Sequence, residues 1–295
     1  MSTRAKPPIP LTPTLLRGWP LPGGGSGKAD RGSVLVIGGA RKTPGAALLA
    51  GVAALRSGAG RLTLAVAEST AVHVAVALPE SGVLGLPESA RGSVKGSSAS
   101  LLVDEFAAAD AVLIGPGLDD KDEALALLRG LLVPARTPQG SGPAVVLDAF
   151  ALGCLPELGA DLGPWAGRLI LTPNPTEAAI LLQREIGDLG RDIRTIASRF
   201  QAVVSCQGLI AEPDGESWEV STGHSGLGTS GSGDVLAGAV TGLRARGTTG
   251  PQAACWGSHL HATAGDRLAS RLGGLGYLAR ELCDELPPLM VELSS

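Results

Sequence analysis

From Ser33 onward, short apolar runs alternate with stretches of helical periodicity. Val34-Leu35-Val36-Ile37 is apolar at every position, which predicts a strand covered on both faces and ended by Gly38-Gly39. An alanine-rich helix is predicted over 45–57, followed by a strand over 61–66. The rhythm then repeats. Strands are predicted at 111–114, 144–147 and 169–171, with helices at 121–132 and 176–182. Residues 191–200 read as a helix, 202–204 as a strand, and 217–220 as one strand of a hairpin turning at Pro213-Asp214-Gly215. Helices at 234–246, 251–272 and 277–286 close the chain, and His73 reads as part of a surface helix. Apolar strands alternating with helices predict an α/β fold: a mostly parallel central sheet with helices on both faces. Residues 1–32, proline-rich and carrying Gly23-Gly24-Gly25-Ser26-Gly27, read as an extended or mobile lead-in. Residues 33–295 read as a single domain, with no internal repeat and no long linker.

Ligands of open α/β sheets sit beyond the carboxyl ends of the strands. The pattern puts Gly38-Gly39, Gly115-Pro116-Gly117, Asp148 and Thr172-Pro173-Asn174 at such ends. A glycine-rich loop from Gly226 to Asp234, ending Gly231-Ser232-Gly233-Asp234, opens a late helix. Its small residues allow close backbone approach, and successive N–H groups at a helix start make an anion site. Asp234 then has two readings, a helix cap or a base beside a bound phosphate. Asp148 likewise caps the next segment or ligates a metal through water, and capping is the commoner role. Asn174, fixed between two prolines, is the residue of its turn best placed to meet a ligand.

Composition removes several function classes. A net charge of −4 leaves no electrostatic footprint for nucleic acid or an anionic membrane, so a bound phosphate has to be held locally. The four cysteines are scattered, which argues against zinc or a disulfide framework and fits a reducing cytoplasm. No metal-ligand set stands out: His259 and His261 lie at i, i+2 of a helix and point to different faces. The most apolar helical stretch is broken by Arg56, so no membrane span is expected, and the N-terminus lacks the apolar run of a signal peptide. Gly226-x-Gly228-x-x-Gly231 spells a dinucleotide fingerprint but lies late in the chain, outside the required βαβ context. No Gly-Lys-Ser/Thr phosphate loop is present. Ser230 and Ser232 lack a His/Asp pair positioned by the sequence, and His224 lies where it could approach a ligand.

Val34–Ala40 with Pro44-Gly45-Ala46, the block Ala53-Ala54-Leu55-Arg56-Ser57-Gly58-Ala59-Gly60, Gly115-Pro116-Gly117, Asp148-Ala149, Thr172-Pro173-x-Pro175-x-Glu177 and Ser232-Gly233-Asp234-Val235-Leu236-Ala237-Gly238 occur in this order. Together they resemble the ADP-dependent NAD(P)H-hydrate dehydratases, over about residues 28–272. The resemblance implies a ribokinase-like α/β fold. It also implies a repair lyase that uses ADP, with Mg²⁺, to return the S epimer of hydrated NADH or NADPH (NADHX, NADPHX) to the normal dinucleotide. By carry-over Asp234 is the catalytic base, Ala46, Gly117, Asn174 and Asp234 contact the hydrate, and Gly231, Ser232 and Gly233 bind the nucleotide. A homo-oligomer, a tetramer in many relatives, is implied too, with the alanine-rich helix a candidate for packing between subunits. Only about thirty residues precede the first strand, so epimerisation is expected from a separate epimerase. Two positions depart from the family pattern. Asn174 stands where histidine is usual, and Ser205-Cys206-Gln207-Gly208 stands where a Lys-Gly element is usual. The competing readings are a vitamin-precursor or sugar kinase of the same fold and a catalytically silent nucleotide sensor.

Overall fold

Along strand β2 (Ser33–Ile37) of the computed structural model, which describes residues 6–132 and 142–294, successive side chains enter different cores. Val34 and Val36 join one cluster, Leu35 and Ile37 the other. The same division holds at Leu113 against Ile114, Val146 against Leu147 and Val203 against Val204. This period of two is what a sheet covered on both faces requires, and it explains why these runs are apolar throughout.

The described residues form one ten-stranded sheet. In chain order its strands are β1 (Ile9–Leu11), β2, β3 (Arg61–Ala67), β4 (Gly82–Leu86), β5 (Ala111–Ile114), β6 (Ala144–Leu147), β7 (Leu169–Leu171), β8 (Ala202–Cys206), β9 (Leu209–Ala211) and β10 (Ser217–Val220). Across the sheet they run β1-β10-β9-β8-β7-β6-β5-β2-β3-β4, parallel except where β9 pairs with β8 and β10. Helices α1 (Pro13–Arg17), α2 (Pro44–Arg56) and α3 (Glu68–Ala77) precede α4 (Val103–Ala108), α5 (Lys121–Leu132) and α6 (Phe150–Leu158). Then come α7 (Pro175–Leu182), α8 (Leu189–Phe200), α9 (Ser232–Ala245), α10 (Gly250–Leu272) and α11 (Ala279–Ser294). α2, α9, α10 and α11 cover one face, and α4 to α8 the other.

Residues 9–17 of the expected lead-in are instead built into the fold, while residues 1–5 lie outside the described residues. β1 pairs in parallel with β10, Ile9 opposite Trp218 and Leu11 opposite Val220. Pro10 costs nothing there because an edge strand need not donate on its outer side. Leu16 is fully buried, and the carbonyl of Trp19 accepts from the Trp256 indole N–H at 2.9 Å.

After β2 the chain moves outward to β3 and β4, then returns to add β5 on the opposite side of β2. The strand order therefore reverses between β2 and β5. Their carboxyl ends open the crevice where doubly wound sheets bind ligands.

α2 serves α9 directly. A Cβ on Gly238 would lie 2.1 Å from the carbonyl oxygen of Ala50, and one on Gly242 2.4 Å from that of Ala54. The small-residue face of α2, with Ala47, Ala50, Gly51, Ala53 and Ala54 buried, thus packs within the chain. Gly238→Ala is expected to cost about 3 kcal/mol, because the obstruction is backbone and cannot yield as a side chain would. Urea unfolding checks this. Gly153→Ala, where a Cβ meets nothing within 4 Å, should be neutral or slightly stabilising.

Candidate active site

The crevice is stitched shut at its base by backbone bonds. Gly39 N–H donates to the Pro116 carbonyl and Ala40 N–H to that of Gly117, both at 2.8 Å. The Thr43 hydroxyl also donates to the Gly117 carbonyl, at 2.8 Å. Gly117 holds φ +73, and a Cβ there would sit 2.4 Å from the Thr43 carbonyl oxygen and 3.1 Å from the Ala46 Cβ. Only glycine fits this left-handed contact comfortably. Ala46 and Gly117, far apart in sequence, are therefore neighbours on one wall.

Asp148 follows β6 and is buried. It accepts a hydrogen bond from the Thr172 hydroxyl at 2.9 Å. Ala149 next to it has φ 49, a conformation unusual for alanine, so the turn that aims Asp148 is held under strain. Burial pushes the Asp148 carboxyl up to about 7; the charge of Glu177 adds to this, the Thr172 bond opposes it, and Asp234 contributes further. Asn174 caps α7. Its side-chain oxygen accepts from Glu177 N–H, and the Glu177 carboxylate accepts from Asn174 N–H, each at 2.9 Å. This capping box occupies the Asn174 oxygen, leaving its amide NH₂ as the group for a ligand. Burial raises the Glu177 pKa as well, against the Asn174 hydrogen bond.

Asp234 is the third residue of α9, which starts without a side-chain cap. Gly231 at φ 88 forms the turn, and a Cβ on it would strike Leu49 at 2.6 Å. Burial, then the charge of Glu177, pushes Asp234 up to about 6. An aspartate in a first helical turn ordinarily gains from the helix dipole; here desolvation and a like charge prevail. Ser232 and Val235 N–H donate to the carbonyls of Thr229 and Gly231. The amides of Gly233 and Asp234 have no acceptor among the described residues.

Asp148, Glu177 and Asp234 thus form one electrostatically coupled set. Among the described residues no basic side chain acts on Asp234 or Glu177. Capping, the commoner reading of Asp148, understates its place. Asp148 and Thr172-x-x-x-x-Glu177 each follow an expected strand end, and the structure makes those two strands, β6 and β7, neighbours. Among the described residues no group of three or more His, Cys, Asp or Glu side chains gathers closely enough to hold a metal alone. The donors are nevertheless hard oxygens carrying uncompensated charge, which suits a hydrated Mg²⁺ arriving with phosphate.

Raised folded-state pKa values set the direction of the pH dependence. Both Asp148 and Asp234 bind protons more tightly when folded than at their ordinary 3.8. Their favourable contribution is full below about 4 and is lost as pH rises through about 6 and 7. The ligand-free protein should accordingly be more stable at pH 5 than at pH 8, and Asp148→Asn should flatten that slope; urea midpoints across this range are the check.

The histidines divide. His73 is exposed on α3. His224 uses Nδ1 to accept from Gly226 N–H at 3.1 Å, bracing the loop. His261, passed over in the sequence, lies buried on α10 with Nε2 2.8 Å from the Ser232 hydroxyl. Burial lowers it to about 4, so it is neutral. At the departure from the family's Lys-Gly pattern, β8 turns directly into β9 through Gln207 (φ 47) and Gly208 (φ 80), a two-residue hairpin carrying no lysine.

Residues 34–288 match the family described as NAD(P)H-hydrate dehydratase. The chain belongs to that family. It is 42% identical to an ADP-dependent (S)-NAD(P)H-hydrate dehydratase of Xanthomonas campestris, covering 96% of each chain. Matching relatives also include a bifunctional NAD(P)H-hydrate repair enzyme of Moorella thermoacetica, 37% identical over 89% of this chain, of whose length the chain spans 50%. Among solved structures, an ADP/ATP-dependent NAD(P)H-hydrate dehydratase of Bacillus subtilis, co-crystallised with ATP/Mg²⁺ and soaked with CoA, superposes with TM-score 0.77. It is 26% identical, with 98% of this chain and 100% of that one covered. A ribokinase-like superfamily protein of Enterococcus faecalis V583 (TM-score 0.80, 22% identical, 100% and 99% covered) shares the fold. The fold of this family member is thus ribokinase-like, as the resemblance implied.

Proposed function

We propose that this protein is an ADP-dependent (S)-NAD(P)H-hydrate dehydratase acting in the cytoplasm on NADHX and NADPHX. The observation that carries the reading is Asp234: a half-buried carboxylate, pushed up to about 6, three residues beyond the uncapped turn at Gly231 with free amides beside it. Near neutral pH it is mostly ionised and competent as a base.

In this mechanism the hydrate hydroxyl oxygen bonds to the terminal phosphorus of ADP while its proton passes to Asp234. The bond from that phosphorus to the oxygen of AMP breaks. In the Gly231–Ser232–Gly233–Asp234 turn the open backbone N–H groups of Gly233 and Asp234 stabilise the charge of the transferring group, with Gly233 against the AMP side. The phosphorylated hydroxyl then leaves as phosphate, pushed by the ring-nitrogen lone pair, and loss of a proton from the adjacent ring carbon restores the double bond. Ala46 and Gly117 form the wall for the hydrate, and the Asn174 amide offers a donor where relatives carry histidine. Asp148 and Glu177 are the residues that would hold Mg²⁺, through water, against the nucleotide. When bound, the ion supplies neutralisation of phosphate charge.

The bifunctional repair enzymes, of which this chain spans about half the length, support an epimerase activity as the supplier of the S epimer. Product analysis tests the reading: one AMP and one phosphate should form for each dinucleotide recovered. Phosphorylated hydrate accumulating without recovery would instead indicate a kinase.

A further inference from the structure

We propose that His261 is a positioning residue for phosphoryl transfer: its hydrogen bond to the Ser232 hydroxyl fixes the first turn of α9, keeping the Gly233 and Asp234 amides open to the nucleotide. This rests on reading residues 231–234 as the phosphoryl site.

The N-terminus of α9 is unusual in what it lacks. A helix start is ordinarily closed by a Ser, Thr, Asp or Asn side chain bonded to the second or third amide. Thr229 and Ser230, both suited to capping, stand immediately before this one, yet no side chain caps it. The cap position is taken by Gly231 in the left-handed region, and the nearest hydroxyl inside the helix, that of Ser232, is drawn away to His261 at 2.8 Å. Both partners are buried, at 4% and 9% exposure, so the bond is shielded from competition by water.

The anchor itself is rigid. His261 sits within the 23-residue α10, whose Gly257 packs so closely on α9 that a Cβ would come 2.6 Å from Val240. α10 also steadies the approach to the loop, where Asp266 accepts from Gly223 N–H at 3.0 Å. Without the histidine, the first turn could shift until a Thr229 or Ser230 hydroxyl became its cap. That would fill the donors a phosphate needs and rotate Asp234 away from the reacting hydroxyl. A purely structural pair would merely satisfy two buried polar atoms.

The test compares wild type, His261→Gln, His261→Asn and Ser232→Ala. Mg·ADP affinity by calorimetry, kcat and KM for ADP, and urea midpoints are measured for each. Glutamine can place an amide near the Nε2 position and asparagine cannot reach it, while both bury a similar polar group. The expected result is Mg·ADP binding weakened roughly tenfold in His261→Asn and Ser232→Ala, near wild type in His261→Gln, with KM for ADP following. Similar urea midpoints for the two His261 variants would exclude a stability origin. Equal Mg·ADP affinity in all four proteins overturns the proposal, whatever the midpoints. If wild type binds Mg·ADP but does not restore the dinucleotide, the dehydratase reading fails, and the affinity comparison still decides the role of His261. No Mg·ADP binding by wild type overturns both.

Discussion

Asp234→Asn is expected to lower kcat/KM for ADP-dependent recovery of reduced dinucleotide by roughly 10³-fold, within the range for loss of a general base. Asparagine keeps the shape of the side chain and its place in the first turn of α9, but cannot take the proton of the hydrate hydroxyl. Affinity for Mg·ADP should change little. Stability should hold or rise, since the variant removes a carboxylate that burial and Glu177 make costly when ionised. In the wild type, kcat/KM should climb with pH through about 6 as Asp234 loses its proton. Steady-state kinetics beside urea unfolding separates these effects. A variant that keeps activity within tenfold of wild type would remove Asp234 from the chemistry.

Withdrawing Mg²⁺ is expected to be almost as damaging, lowering the rate by roughly 10²-fold or more. The reason lies in the charge balance of the crevice. Glu177 adds to the burial that raises both Asp148 and Asp234, Asp234 adds further to Asp148, and among the described residues no basic side chain acts on Asp234 or Glu177. The hairpin at Gln207-Gly208 brings no lysine to the site. ADP, itself an anion, would enter this field only with a cation. Binding of Mg·ADP should also draw protons off the set near pH 7, because a cation favours the ionised carboxylates. Calorimetry in buffers of differing ionisation enthalpy reads that release directly. Asp148→Asn should reduce it and raise the Mg²⁺ concentration needed for half-maximal rate. Full activity in excess chelator would contradict this account of the site.

The strands that carry the rim were legible because burial on both faces leaves an unbroken apolar signature. Strands β5, β6, β7 and β10 fall where the pattern put them, and β2, β3 and β8 within two residues. Edges were harder. β1 hides in a proline-rich segment because an edge strand tolerates Pro10, and β4 carries Gly82 and Gly85 with only Leu86 fully buried. α11 runs to Ser294 through Pro287 and Pro288, past the end expected at 286. Burial of Leu286, Leu289 and Leu293 outweighs the local preference of proline to stop a helix.

Within the site, Gly117, Asn174 and the Gly231–Asp234 turn could be singled out because each sits at a strand or helix end with a distinctive residue type. The coupling of Asp148 with Glu177 could not, since it depends on β6 and β7 being neighbours in space. Nor could the Ser232–His261 pair, 29 positions apart and joined by the packing of α10 on α9. Each of these contacts is set by tertiary structure, and periodicity along one chain carries no record of it.

The most direct measurement is the return of reduced-nicotinamide absorbance from purified (S)-NADH hydrate, with the full-length protein and Mg²⁺, in the presence and absence of ADP. An ADP-dependent dehydratase gives recovery that requires ADP and yields AMP and phosphate in equal amounts. No recovery from a protein that binds Mg·ADP would contradict this reading.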